Sequence, residues 1–471
     1  MSSPDRAVRG RRSPESGVGD LEPRTGPVMT WAASSLTGQR FCRFGLSLAD
    51  QGFSVGAMFL VNVVLARTQS KQDYGAFVLS YSIFTFVSGL HNAAVLEPYT
   101  IYGAGRYRER FPAYLQLMLR GNLAFGVALS SMLFLACAFL RWSHPAVPLR
   151  ALLGLALTVG IILTGSFLRR SYYVQKKPGK AAMASLTFFA TVAFSVWVVA
   201  RIHRLDGFSV FPILGIGWMV AGAGWFRQLL RNPAQGRLLD AVPQFWREHW
   251  TYARWVLATS FVFQFMHQGY YWLVAGFLSV KEVGDLKAMY LLIAPVEQVT
   301  IASSFLVLPV LTGRYAARNF EGFLSLWKLY ALCLVGITLL FALAIRLVGA
   351  RAMHVLYAGK FDGLAPLLFL LALVPLLTAL GASFSDAIRA AERPRLVFYA
   401  YVGSAIATFG GGIPLVIHWG LRGAVYGMSF SAAVYSCLLA LAFWLWVPRQ
   451  PGRPWLEGYR RGDSFASAER G

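Results

Sequence analysis

Residues 364–385 read LAPLLFLLALVPLLTALGASFS, twenty-two positions without a charged side chain. As an α-helix rising 1.5 Å per residue the stretch is about 33 Å long, enough to cross a bilayer core of about 30 Å. Residues 151–168, ALLGLALTVGIILTGSFL, repeat the pattern, and comparable apolar stretches recur from Leu46 to Val447. A soluble core has no use for so many. The chain therefore reads as all-α, a polytopic membrane protein.

Composition agrees. Of 471 residues 56% are apolar and only 14% charged, against about a quarter in soluble chains. The net charge of +23 would suggest nucleic acid if it lay on a soluble module. Here the basic residues fall in short connections between apolar segments, so no nucleic-acid partner is expected. The four cysteines, Cys42, Cys137, Cys333 and Cys437, lie far apart and three sit in apolar segments. They form neither a disulfide framework nor a metal-ligand spacing. No metal and no cofactor is expected.

Twelve spans are expected, at 45–66, 75–96, 114–140, 148–168, 181–201, 208–229, 254–278, 286–312, 324–349, 364–387, 396–418 and 421–447. A tight turn at Trp419 and Gly420 separates the last two. Around them the expected organisation is a disordered basic tail over 1–40, a six-helix lobe over 41–230 and a basic linker over 231–253. A second six-helix lobe over 254–447 and a tail over 448–471 follow. Placing the N-terminus in the cytosol puts 31 of the 44 Lys and Arg residues inside and 12 outside, with Arg120 within a span. Without the tails the ratio is still 19 to 12. The positive-inside bias thus expects both termini in the cytosol.

The halves look duplicated. A shift of 209 residues brings Leu65 and Ala66 onto Val274 and Ala275, Ser70 onto Ser279, Asp73 onto Glu282, Gly75 onto Gly284 and Tyr81 onto Tyr290. Six spans per half give both copies the same orientation, hence two parallel repeats around a central cavity.

No catalytic motif occurs and no connection exceeds about 25 residues, too short for an appended catalytic domain; an enzyme is not expected. The informative residues are polar ones inside spans, each costing a few kcal/mol unless it faces protein or water. Candidates for substrate binding are Arg120, Gln264 and His267; candidates for ion coupling or charge balance are Asp50, Glu97, Glu297 and Asp386. Arg120 either faces the cavity or reaches back to headgroups beside Arg106, Arg108 and Arg110. His267 suits a hydrogen-bonded packing role as well as a proton carrier. Gly410, Gly411, Gly412 and Pro414 should weaken or break the eleventh helix, and Pro295 and Pro375 should break or kink the eighth and tenth.

Several short motifs resemble one family. Asn62, Val63, Val64, Leu65, Ala66 and Arg67, followed by Tyr74 and Gly75, resemble the first hairpin of bacterial polysaccharide-biosynthesis transporters. These are the O-antigen and exopolysaccharide flippases of the multidrug/oligosaccharidyl-lipid/polysaccharide exporter superfamily. Leu278, Ser279, Val283 and Gly284, then Pro309, Val310 and Leu311, look similar in the second half. So do Leu356 to Phe361 (LYAGKF) and Gly420 to Ala424 (GLRGA). The resemblance covers roughly residues 40–447. It implies flipping of a lipid-linked oligosaccharide or polysaccharide precursor across the bacterial cytoplasmic membrane by alternating access. A proton or sodium as coupling ion, membrane lipids, and polymerase or export machinery as partners are implied with it. No binding motif of the family carries over residue by residue. The rival readings are an ion-coupled multidrug and toxin extrusion antiporter of the same fold and a membrane-embedded glycan polymerase or ligase.

Overall fold

A computed structural model of the chain describes residues 27–143, 149–231 and 242–446. The helices are α1 (Pro27–Thr68), α2 (Lys71–His91), α3 (Glu97–Ala104), α4 (Phe111–Ser143), α5 (Arg150–Val174), α6 (Pro178–Arg201), α7 (Gly207–Arg231), α8 (Val242–Phe277), α9 (Val280–Ala316), α10 (Phe320–Tyr357), α11 (Ala365–Ala390), α12 (Pro394–Gly410) and α13 (Gly412–Trp446). No strand occurs among the described residues. A π-helical turn, Asn92–Leu96, joins α2 to α3 into one span.

Among the described residues, ten helices are long and apolar enough to cross a membrane. The other two of the expected twelve are α8, rich in polar residues, and α12, only 17 residues long. The ten apolar helices carry large exposed apolar side chains, among them Leu135, Phe194, Phe305 and Leu347, as a lipid-facing surface requires.

Several boundaries differ from expectation. Helix α1 reaches back to Pro27, into the segment expected as a tail, while residues 1–26 and 447–471 lie outside the described residues. Helix α8 starts at Val242, so most of the expected linker is helical; residues 232–241 lie outside the described ones. Helix α9 runs through Pro295 and Pro309 and α11 through Pro375 without interruption. The eleventh span does break, at Gly411, between α12 and α13. Gly420, at φ 58° and ψ −135°, then reverses the chain within α13. The return is so tight that a Cβ on Gly423 would lie 1.8 Å from the Leu415 carbonyl oxygen. Only glycine holds such a backbone without strain.

The duplication is visible in caps and packing. Ser70 caps α2 by accepting from the Asp73 amide, and Ser279 caps α9 by accepting from the Glu282 amide. In each the acidic third residue also accepts a hydrogen bond from the serine hydroxyl. The α5–α6 and α11–α12 turns match too: Lys176 and Glu392 both adopt positive φ, and Pro178 and Pro394 open the next helix. In the first half α4 and α7 pack on α5, and α6 on α1 and α7; in the second α10 and α13 pack on α11, and α12 on α8 and α13. Between the halves, α2 meets both α8 and α9. The fold is two repeated six-span halves joined along that seam.

Candidate functional site

The seam is sealed at the end bearing the α1–α2 and α8–α9 turns. The repeat-related Gly75 and Gly284 face each other there. A Cβ on Gly75 would stand 1.8 Å from the Val280 carbonyl oxygen, and one on Gly284 would stand 2.9 Å from that of Lys71. Backbones therefore touch, as glycine allows between membrane helices. Lys71 pairs with Asp285 at 2.9 Å, and Lys360 donates to the Ala66 carbonyl at 3.0 Å. Burial and the nearby Lys71 hold the Lys360 ammonium below the usual lysine value, against the pull of Asp73. Tyr357 donates to the Ala288 carbonyl, and Tyr74 to Asn62. The residues that carry the family resemblance (Asn62, Ala66, Tyr74, Gly75, Gly284, Tyr357, Lys360) thus converge on this seal.

Deeper along the seam lies a cluster that the sequence reading missed. The Lys287 ammonium sits 5.6 Å from the ring of Tyr81 on α2 and 5.7 Å from those of Tyr271 and Tyr290 on α8 and α9. This is cation–π distance on three sides, from both lobes. Tyr290 donates to the Glu297 carboxylate. The Lys287 and Glu297 charges act on each other without an ion-pair contact. Lys287 has no hydrogen bond or ion pair among the described residues, and its side chain is half-buried. Lys287 fell at an expected span boundary, where a lysine reads as a headgroup anchor. The available signal was its spacing to Tyr290, one turn on, whose repeat partner is Tyr81.

The remaining candidates separate by position. Glu297 belongs to the Lys287 cluster. Gln264 packs against Gly89 of α2, close enough that a Cβ there would lie 2.0 Å from its Nε2. Glu97 accepts from Tyr252 of α8 at 2.8 Å, also across the seam. His267 is exposed on α8, its ring 4.2 Å from that of Phe263. Arg120 is exposed on α4 and has no hydrogen bond or ion pair among the described residues; α4 packs chiefly on α5, away from Lys287.

Asp50 and Asp386 lie inside the lobes. Asp50, 1% exposed, takes two parallel bonds from Arg169 at 3.1 and 2.6 Å, one from Tyr173 at 2.7 Å and one from Ser185. That network ties α1 to α5 and α6 and uses all the carboxylate's capacity. Arg169 was expected in a loop, but α5 continues to Val174 and carries it into the lobe. Asp386 is buried and accepts from Tyr330 at 2.9 Å.

No protein-family model and no curated protein sequence matches the chain. Solved structures do. An inward-facing multidrug resistance MATE family transporter of the MOP superfamily superimposes with a TM-score of 0.68 at 15% identity, covering 85% of this chain and 97% of the other. The lipid II flippase MurJ, in an inward closed conformation, gives 0.64 at 14% identity over 85% and 87%. An outward-facing conformation of a MATE family transporter gives 0.57 at 12% identity over 86% and 94%. This chain is a multi-pass membrane protein with the fold of these transporters.

Proposed function

We propose that the protein is a transporter that flips an anionic, lipid-linked glycan precursor across the bacterial cytoplasmic membrane by alternating access between its two lobes. The observation that carries this reading is the Lys287 ammonium between the lobes, faced by Tyr81, Tyr271 and Tyr290. A cation with no ion-pair partner there offers a phosphate its counter-charge, and the aromatic faces suit sugar rings. The seal at Gly75 and Gly284 closes one end of the path, as alternating access requires. Proton or sodium coupling, cytosolic termini and export-machinery partners belong to the same reading. Glu297 keeps the organic-cation exporter alive as the second reading, since it puts a carboxylate in the same cluster.

The test is flipping in proteoliposomes of a fluorescent polyprenyl-pyrophosphate disaccharide, read by loss of signal to a membrane-impermeant quencher. The wild type should flip it, Lys287→Gln should lose at least tenfold in rate, and Glu297→Gln should retain activity. Ethidium transport that needs Glu297 and ignores Lys287, with no flipping of the glycolipid, would establish the exporter instead.

A further inference from the structure

His91 is the last residue of α2 before the π-helical turn, and it is fully buried. Its Nε2 lies 2.6 Å from Asn122 Oδ1 on α4. Asn122 Nδ2 reaches Thr164 Oγ1 on α5 at 3.0 Å, and Thr164 in turn bonds the Gly160 carbonyl at 2.7 Å. The directions follow from proton counting. Thr164 has one hydroxyl proton and spends it on Gly160, so its oxygen accepts from the Asn122 amide. Asn122 then presents its carbonyl oxygen to His91, and Nε2 must be the protonated nitrogen. Nδ1 is left with a bare lone pair, and this buried atom has no partner.

The surroundings give a proton at Nδ1 a mechanical consequence. From α5, Arg170 donates to Asn92 Oδ1 at 2.9 Å, inside the π turn, and its charge acts on His91. From α4, Asn122 and the Phe125 ring face it, both uncharged. On the α8 side the same stretch of α2 meets Ser260, which donates to the Gly89 carbonyl at 3.1 Å, and Gln264, also uncharged. Beyond the turn, Glu97 is engaged by Tyr252. The segment clamped to α4 and α5 through His91 and Arg170 thus also touches the second lobe, beside the bonds that Tyr114 of α4 makes to His249 and that Arg106 and Tyr107 make to Glu248. Single π turns are common at functional sites and at bends that can move.

We propose that His91 is a proton-binding site whose occupancy sets the contact between the two lobes. Neutral His91 closes the clamp through Asn122. A proton taken from water onto Nδ1 makes an imidazolium beside the Arg170 guanidinium. The like charges push the π turn off α5, and the contacts of Gly89 and Glu97 with α8 shift with it; release of that proton restores the clamp. The proposal concerns conformation and is independent of the transported substrate.

The test uses the full chain in nanodiscs with Cys42, Cys137, Cys333 and Cys437 replaced by serine. Spin labels go at Lys180→Cys and Ala317→Cys, exposed positions in the two lobes. Between pH 8 and pH 4 the inter-label distance distribution should shift. His91→Gln, which still reaches Asn122 but binds no proton, should keep the pH 8 distribution throughout. Arg170→Gln, which removes the like charge, should shrink the shift, and this variant carries the test if His91→Gln does not fold. A wild type unchanged between the two pH values, or a His91→Gln that shifts with the wild-type midpoint, overturns the proposal.

Discussion

Replacing Gly75 with alanine adds one methyl group at the tightest point of the seam. The new Cβ would stand 1.8 Å from the Val280 carbonyl oxygen, where a carbon and an oxygen normally come no closer than about 3.3 Å. Helices α2 and α9 must part by roughly 1.5 Å, starting from that contact distance. A movement of that size carries the 2.9 Å Lys71–Asp285 pair out of ion-pair range. Overpacking of this kind costs about 1–3 kcal/mol, and it is felt only while this end is closed. The closed population should therefore fall about 5- to 150-fold relative to the state open at this end. Spin labels at the exposed Gln72 and Lys281 would report it as a longer distance. Gly284→Ala should act more weakly, because its Cβ meets the Lys71 carbonyl at 2.9 Å. Gly336→Ala is the control: nothing lies within 4 Å of its Cβ, and alanine should add up to about 1 kcal/mol of helix stability. Equal distance distributions in all three variants would refute the idea that backbone contact at Gly75 sets the seal.

Two further outcomes follow from the lobes themselves. Asp50→Ala leaves Arg169 without its carboxylate and should cost about 3 kcal/mol as an unpaired, largely buried ion, read as a lower unfolding temperature in detergent. The double variant with Arg169→Leu should recover most of it; full stability of Asp50→Ala with loss of transport would instead make Asp50 a coupling residue. Gly420→Ala forces a side chain onto φ 58°, ψ −135° at about 1–3 kcal/mol, so thermal unfolding should show a clear drop, and an unchanged midpoint would mean that the reversal relaxes elsewhere.

What the sequence determined was everything carried by local chemistry and period. Uncharged stretches such as residues 364–385 specify membrane helices because their length and apolarity admit no other use. Ser70 with Asp73 and Ser279 with Glu282 specify where repeat-related helices begin, because a serine N-cap and the amide it takes lie within four residues. Gly420 announced the last reversal for the same reason. Charge in context was another matter. Asp50, Glu297 and Asp386 look alike in the sequence. Only packing gives Asp50 an arginine 119 residues away, leaves Asp386 among hydroxyls and sets Glu297 between the lobes. Lys287 and His91 were passed over because their meaning comes from other elements: rings on α2 and α8 for Lys287, and an amide on α4 for His91. Helix period tells which residues share a face. Which face meets the other lobe is decided by the pairing of α2 with α8 and α9, a long-range contact that no local pattern encodes.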